Sequence, residues 1–118
     1  MADDYFQNLA DRLRRFADER DWDQFHSPKN LAMALIVEAA ELVEEFQWLD
    51  LEESADPGAE QRRRIEREMA DVFIYLVRLA DKLGVNLPAV VEDKIADNEH
   101  KYPADRVRGS SAKYDRYE

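Results

Sequence analysis

The chain has 118 residues, with 27 acidic against 17 basic side chains, a formal net charge of −10, no cysteine, three Gly and four Pro. That length suits one domain whose small core gains from oligomerisation, and the scarcity of turn residues favours helices over a many-stranded sheet. The charge excludes non-specific binding to a nucleic-acid polymer, whose phosphates need a basic face, and the missing cysteine excludes disulfides and thiolate metal ligation.

The first residues, Met1-Ala-Asp-Asp4, lack a basic stretch followed by an apolar one, and no apolar run approaches the roughly 20 residues of a membrane span. A soluble, cytoplasmic protein is expected. Residues 4–20 carry Phe6, Leu9, Leu13 and Phe16 at one-sided helical spacing, with Asp3 or Asp4 available as N-cap. Asp21-Trp-Asp-Gln-Phe-His26 has no clear period. It spends two aromatics and a His on packing itself down or lining a pocket. Ser27-Pro28 is a strong helix start, and the pattern then runs to about Asp50 without a breaker.

Within that helix Leu31, Ala34, Leu35, Leu42, Trp48 and Leu49 form one stripe. Glu38, Glu41 and Glu45 fall inside it, whereas Glu44, Glu52 and Glu53 take the wet side as amphipathic helices normally require. Asp56-Pro57-Gly58 breaks the chain, and a further helix is predicted from about Ala59 to Leu83, with Gly84 as C-terminal cap. Its first half is mostly charged. Its second half, from Met69 to Ala80, is apolar nearly all round and needs covering on more than one side, which suggests a subunit interface. Asn86-Leu-Pro88 opens a last helix to about Lys101, closed by Pro103. One all-α domain over residues 1–103 is expected, followed by an irregular tail over 104–118.

The pairs Glu38/Glu41 and Glu68/Asp71 have i, i+3 spacing, so each lies on one face of its helix. If the two helices are antiparallel, four acids meet in one small volume, and a cation is needed to offset their charge. Oxygen-only ligands point to Mg²⁺, with Mn²⁺ as substitute. The plainer alternative is ion pairing with Arg62, Arg63, Arg67 or Lys82. Di-iron bundles require Glu-x-x-His pairs, which neither segment has; His26 and His100 lie elsewhere. Trp22 and Trp48 are either core fillers or flat faces for a nucleobase, and His26 reads as a helix-start contact. Lys94, Asn98 and Tyr102 share a face that suits either sugar and phosphate recognition or solvent.

Glu38-x-x-Glu41 followed by Glu68-x-x-Asp71 resembles the signature of the all-α nucleoside triphosphate pyrophosphohydrolases, the MazG-like family. Phe16-Ala-Asp-Glu-Arg-Asp-Trp22, Phe25-His-Ser-Pro-Lys-Asn-Leu31, Glu45-Phe-Gln-Trp48, Asp71-Val-Phe-Ile-Tyr-Leu-Val77, Lys101-Tyr-Pro-Ala104 and Arg108-Gly-Ser-Ser-Ala-Lys-Tyr114 are similar to its dCTP-hydrolysing members. The resemblance implies a four-helix bundle, assembled as a dimer of dimers, that hydrolyses dCTP or a modified dCTP to the monophosphate and pyrophosphate with Mg²⁺. It implies Glu38, Glu41, Glu68 and Asp71 as metal ligands; on chemical grounds one of these acids, Glu41 or alternatively Glu38, is expected also to take a proton from the attacking water. It further implies Trp22 and Trp48 flanking the base, Tyr75 in the pocket, and Lys94, Asn98 and Tyr102 on sugar or phosphate. Leu13 stands where animal members carry a His near the pocket, and Glu45 is an additional acid that could join the metal shell. The rivals are the same fold acting on dUTP or another nucleotide, and a non-enzymatic helical interaction module.

Overall fold

Helix α1 spans Ala2–Glu19 in the computed structural model, which describes residues 2–111. The helix begins at Ala2, so Asp4 lies inside its first turn, where its charge meets the positive end of the helix dipole, and neither Asp3 nor Asp4 is the N-cap. It ends where Asp21 takes the left-handed conformation (φ 56°), one that Asp tolerates better than most residues, and the Trp22 N–H donates back to the Ala17 carbonyl at 2.8 Å. A single 3-10 turn, Asp23–Phe25, follows. Helix α2, Pro28–Phe46, starts as predicted: Ser27 Oγ accepts from the Asn30 N–H at 3.1 Å. Asn30 Nδ2 donates to the Phe25 carbonyl, which fastens the preceding loop to the helix start.

Helix α2 stops at Phe46, short of the predicted end near Asp50. Asp50 is instead the N-cap of a short helix, α3 (Leu51–Ala55), accepting from the Glu53 N–H at 2.8 Å while Glu53 accepts from its own N–H at 3.0 Å. A reciprocal capping box of this kind offers the backbone an alternative to continuing the previous helix. Helix α4, Ala59–Leu83, has the predicted bounds and ends on Gly84 at φ 68°. Helix α5, Leu87–Lys101, is capped by Asn86, whose Oδ1 accepts from the Ala89 N–H at 3.2 Å. The tail expected to be irregular opens on one helical turn, α6 (Ala104–Val107), and residues 112–118 lie outside the described residues.

Two compact units result, residues 1–85 and 86–118. In the first, α2 packs along α4 and α1 packs on α4 as well. Cross-helix pairs fix the direction: His26 meets Arg78, Glu38 meets Glu68, and Glu45 meets Gln61 and Arg64, so α2 and α4 run antiparallel. The core is small: Ala10, Ala17, Leu31, Ile65, Val77 and Ala80 are buried. Alanines at Ala10 and Ala17 on α1, two helical turns apart, let its backbone approach closely, while Phe6, Leu9 and Leu13 are half-buried. Much apolar surface stays uncovered, including Met33, Ile36, Val37 and Val43 on α2 and Met69 and Phe73 on α4. In the second unit Asp97 pairs with Lys94 at 3.5 Å and Lys101 at 3.2 Å along α5.

A Cβ at Gly84 would meet nothing within 4 Å, so any cost of substitution there is conformational. Gly84→Ala is expected to lower stability by about 1 kcal/mol, and Gly84→Asn by less, because Asn tolerates the left-handed region. Urea unfolding of the two variants measures the difference.

Candidate active site

Antiparallel pairing of α2 and α4 turns two sequence pairs into one cluster. Carboxylate oxygens of Glu38, Glu41 and Glu68 all lie within 4.8 Å of one another, and all three side chains are partly buried. Asp71 stands outside that closest group, yet its charge acts on both Glu38 and Glu68. Among the described residues no cation pairs with any of the four. Arg62 binds Glu66 at 3.6 Å and Lys82 binds Asp23 at 2.6 Å, which removes the ion-pair alternative for these two. Glu38 Oε2 and Glu68 Oε2 are buried without a hydrogen-bond partner.

Such oxygens raise the free energy of the charged form. Burial, followed by the hydrogen bond and charge of Glu41, pushes the Glu38 carboxyl from 4.5 up to about 7. The same causes, burial first and Glu41 next, raise Glu68. An all-oxygen set that is crowded, desolvated and unpaired suits a hard divalent cation, whose charge would offset the repulsion. Glu45 does not join this set. It lies one turn beyond Glu41, where Arg64 Nε donates to both its oxygens at 3.3 Å and Gln61 donates to its carbonyl, so its charge is already matched.

Farther along α4, a cavity of about 110 Å³ opens between α1, the two residues flanking the 3-10 turn (Trp22 and His26) and α4. Leu13, Phe16, Trp22, His26, Tyr75 and Arg78 are among its lining residues. Its volume is far below the about 300 Å³ and more of pockets that enclose a whole small ligand. Phe16 and Trp22 meet edge to face with ring centres 5.6 Å apart, and the Arg20 guanidinium sits 3.7 Å over the Phe16 ring.

Of the residues expected in a nucleotide site, Glu38, Glu41 and Glu68 are brought together, and Trp22 and Tyr75 share the cavity. Trp48 does not line that cavity; beyond the end of α2 it is 86% exposed. Lys94 and Asn98 are exposed on α5 in the second unit, where Asn98 accepts the Tyr102 N–H at 2.8 Å. Sequence reasoning missed Arg78 and Asp81. The available signal was a lone cation inside the run Val77-Arg78-Leu79-Ala80.

Residues 33–116 match the model of the MazG-like family. Human dCTP pyrophosphatase 1 is 48% identical over 101 residues, and the rat protein of the same name 45% identical over 104. Each alignment covers 84% of this chain and 59% of the relative, so the chain spans about three-fifths of the length of the curated relatives it matches. A solved pyrophosphatase from Archaeoglobus fulgidus superposes with a TM-score of 0.79 at 41% identity, over 84% of this chain and 93% of that one. Similarity of this extent, together with the acidic pairs facing one another across α2 and α4, places the chain in the MazG-like family.

Proposed function

We propose that the protein is a Mg²⁺-dependent nucleoside triphosphate pyrophosphohydrolase that converts dCTP to dCMP and pyrophosphate. The observation that carries this reading is the pair of buried, unpartnered oxygens of Glu38 and Glu68 converging with Glu41, with no cation among the described residues to neutralise them. The similar proteins named dCTP pyrophosphatase 1 point to the base. No helix among the described residues is long and apolar enough to cross a membrane.

Glu38, Glu41, Glu68 and Asp71 would hold the cation. Bound Mg²⁺ supplies charge neutralisation at the phosphoryl oxygens and makes water at the α-phosphorus more acidic. Glu41 would accept the proton of the attacking water as the water oxygen bonds to the α-phosphorus and the bond to the pyrophosphate oxygen breaks, with Glu38 as the alternative acceptor. Tyr75 follows Glu68 by seven residues, roughly 10 Å along the helix axis, a distance that a nucleoside spans between base and phosphate. Trp22 and Tyr75 then hold the base, and Trp48, Lys94, Asn98 and Tyr102 are assigned to base, sugar and phosphate from the family resemblance.

A second copy of the chain covers the exposed stripe Met33, Ile36, Val37 and Val43, giving a dimer, and a tetramer if the α4 face is covered as well. Surface of this extent is unusual on a monomer. Replacing Ile36, 66% exposed, by Asp is expected to shift the protein toward monomer in sedimentation velocity.

Incubating dCTP with the protein and Mg²⁺ in oxygen-labelled water should give pyrophosphate and dCMP carrying the label, and Glu41→Gln should slow this at least about 100-fold. Orthophosphate as product would place attack on another phosphorus. Cleavage of dUTP or another nucleotide in preference to dCTP would keep the reaction and change the base.

Because Glu38 binds its proton more tightly folded than unfolded, its stabilising contribution is complete below pH 4.5 and is lost as pH rises through about 7. Without divalent cations the melting temperature should fall by several degrees from pH 5 to pH 8, and Glu38→Gln should flatten that slope. Added Mg²⁺ should raise melting at pH 8 in the unaltered protein and much less in Glu38→Gln. An interaction module without a metal site would give no Mg²⁺ shift.

A further inference from the structure

Arg78 is 3% exposed, the one buried charged residue among those described. Burying a guanidinium is costly unless its donors are matched, and a well-packed apolar side chain often serves stability as well. Here the donors are distributed across three partners. Nη1 reaches Asp81 at 3.2 Å, Nη2 reaches Asp23 at 2.8 Å, and Nε donates to Nδ1 of His26 at 3.3 Å. Asp23 also takes Lys82 Nζ at 2.6 Å, and Asp81 takes Arg14 Nε at 3.0 Å. This network ties α1 and the Trp22–His26 segment to α4.

Its consequence for His26 is chemical. An imidazole whose Nδ1 accepts a hydrogen bond carries its proton on Nε2. Burial, then the Arg78 cation, lower the basicity of the ring. Nε2–H has no hydrogen-bond partner among the described residues, and His26 lines the same cavity as Leu13, Phe16, Trp22 and Tyr75. A donor held in one orientation in a largely apolar wall discriminates between ligands, because one that offers it no acceptor leaves it unpaired.

We propose that Arg78 is a positioning residue for base selection: by holding Nδ1 of His26 as an acceptor it fixes an Nε2–H donor in the cavity wall, and that donor selects cytosine through its ring N3. Cytosine N3 is an acceptor. In uracil and thymine the same position carries N–H, so two donors would face one another. The inference rests on the pyrophosphohydrolase reading, with the cavity as its base subsite.

The test compares kcat and KM for dCTP and dUTP in the unaltered protein, Arg78→Met, His26→Phe and His26→Gln. Arg78→Met and His26→Phe should each reduce the preference for dCTP over dUTP about tenfold, the loss of one hydrogen bond, and chiefly through the KM for dCTP. His26→Gln, whose amide N–H reaches toward the Nε2 position, should restore most of the preference. If Arg78→Met does not fold, the two His26 variants carry the comparison alone. Equal losses on both nucleotides, or an unchanged preference in His26→Phe, overturn the inference and leave the reaction standing. If the unaltered protein cleaves no nucleotide, the reaction is overturned, and titration of dCMP and dUMP against Trp fluorescence decides the inference. Preference for dCMP that is lost in His26→Phe supports it, and equal binding sinks it.

Discussion

Three carboxylates confined between two antiparallel helices, with no cation of the described residues among them, are the constraint around which this chain is built. The seam between α2 and α4 is matched at both ends and unmatched in the middle. At one end Glu45 meets Arg64 and Gln61; at the other, Arg78 meets His26 and Asp23 in the segment that leads into α2. Both ends pair polar groups in one register only, so a slip of α2 along α4 would break them together. Between them Glu38, Glu41 and Glu68 are forced to within 4.8 Å, where their mutual repulsion would otherwise push the helices apart. The matched ends thus hold a middle that is unfavourable without a ligand, the usual relation between a scaffold and a strained site.

Local chemistry in the sequence accounts for much of this. Ser27-Pro28 and Gly84 mark helix ends because the cap is made by the residue itself, and the structure has both. The acids at Glu38 and Glu41 stand out because they violate the amphipathic pattern, which is a one-dimensional signal. The end of α2 is less legible. Its apolar period continues through Trp48 and Leu49, but the capping box of Asp50 and Glu53 competes with it and wins. Nothing in the local period of α4 says that Arg78 pairs with Asp23, 55 positions away, and not with solvent. A long-range ion pair is a property of the fold, visible in sequence only as a cation where an apolar residue belongs.

Helix α4 also sets the acidic cluster and the cavity apart along one axis. Glu68 belongs to the acidic cluster, on which the charge of Asp71 also acts; Ile74, Tyr75 and Arg78 line the cavity. A rigid helix fixes the spacing between them to the rise of its turns, with no loop whose motion could blur it. Substitutions in the cavity wall can therefore reshape the cavity while the carboxylates of Glu38, Glu41 and Glu68 keep their geometry. Leu13 contributes apolar surface to that wall, which leaves His26 as the imidazole facing the cavity and Arg78 as the group that sets its tautomer. A buried cation that would be a poor choice for stability alone becomes intelligible here, because an apolar replacement could fill its volume but could not dictate which nitrogen of His26 carries the proton.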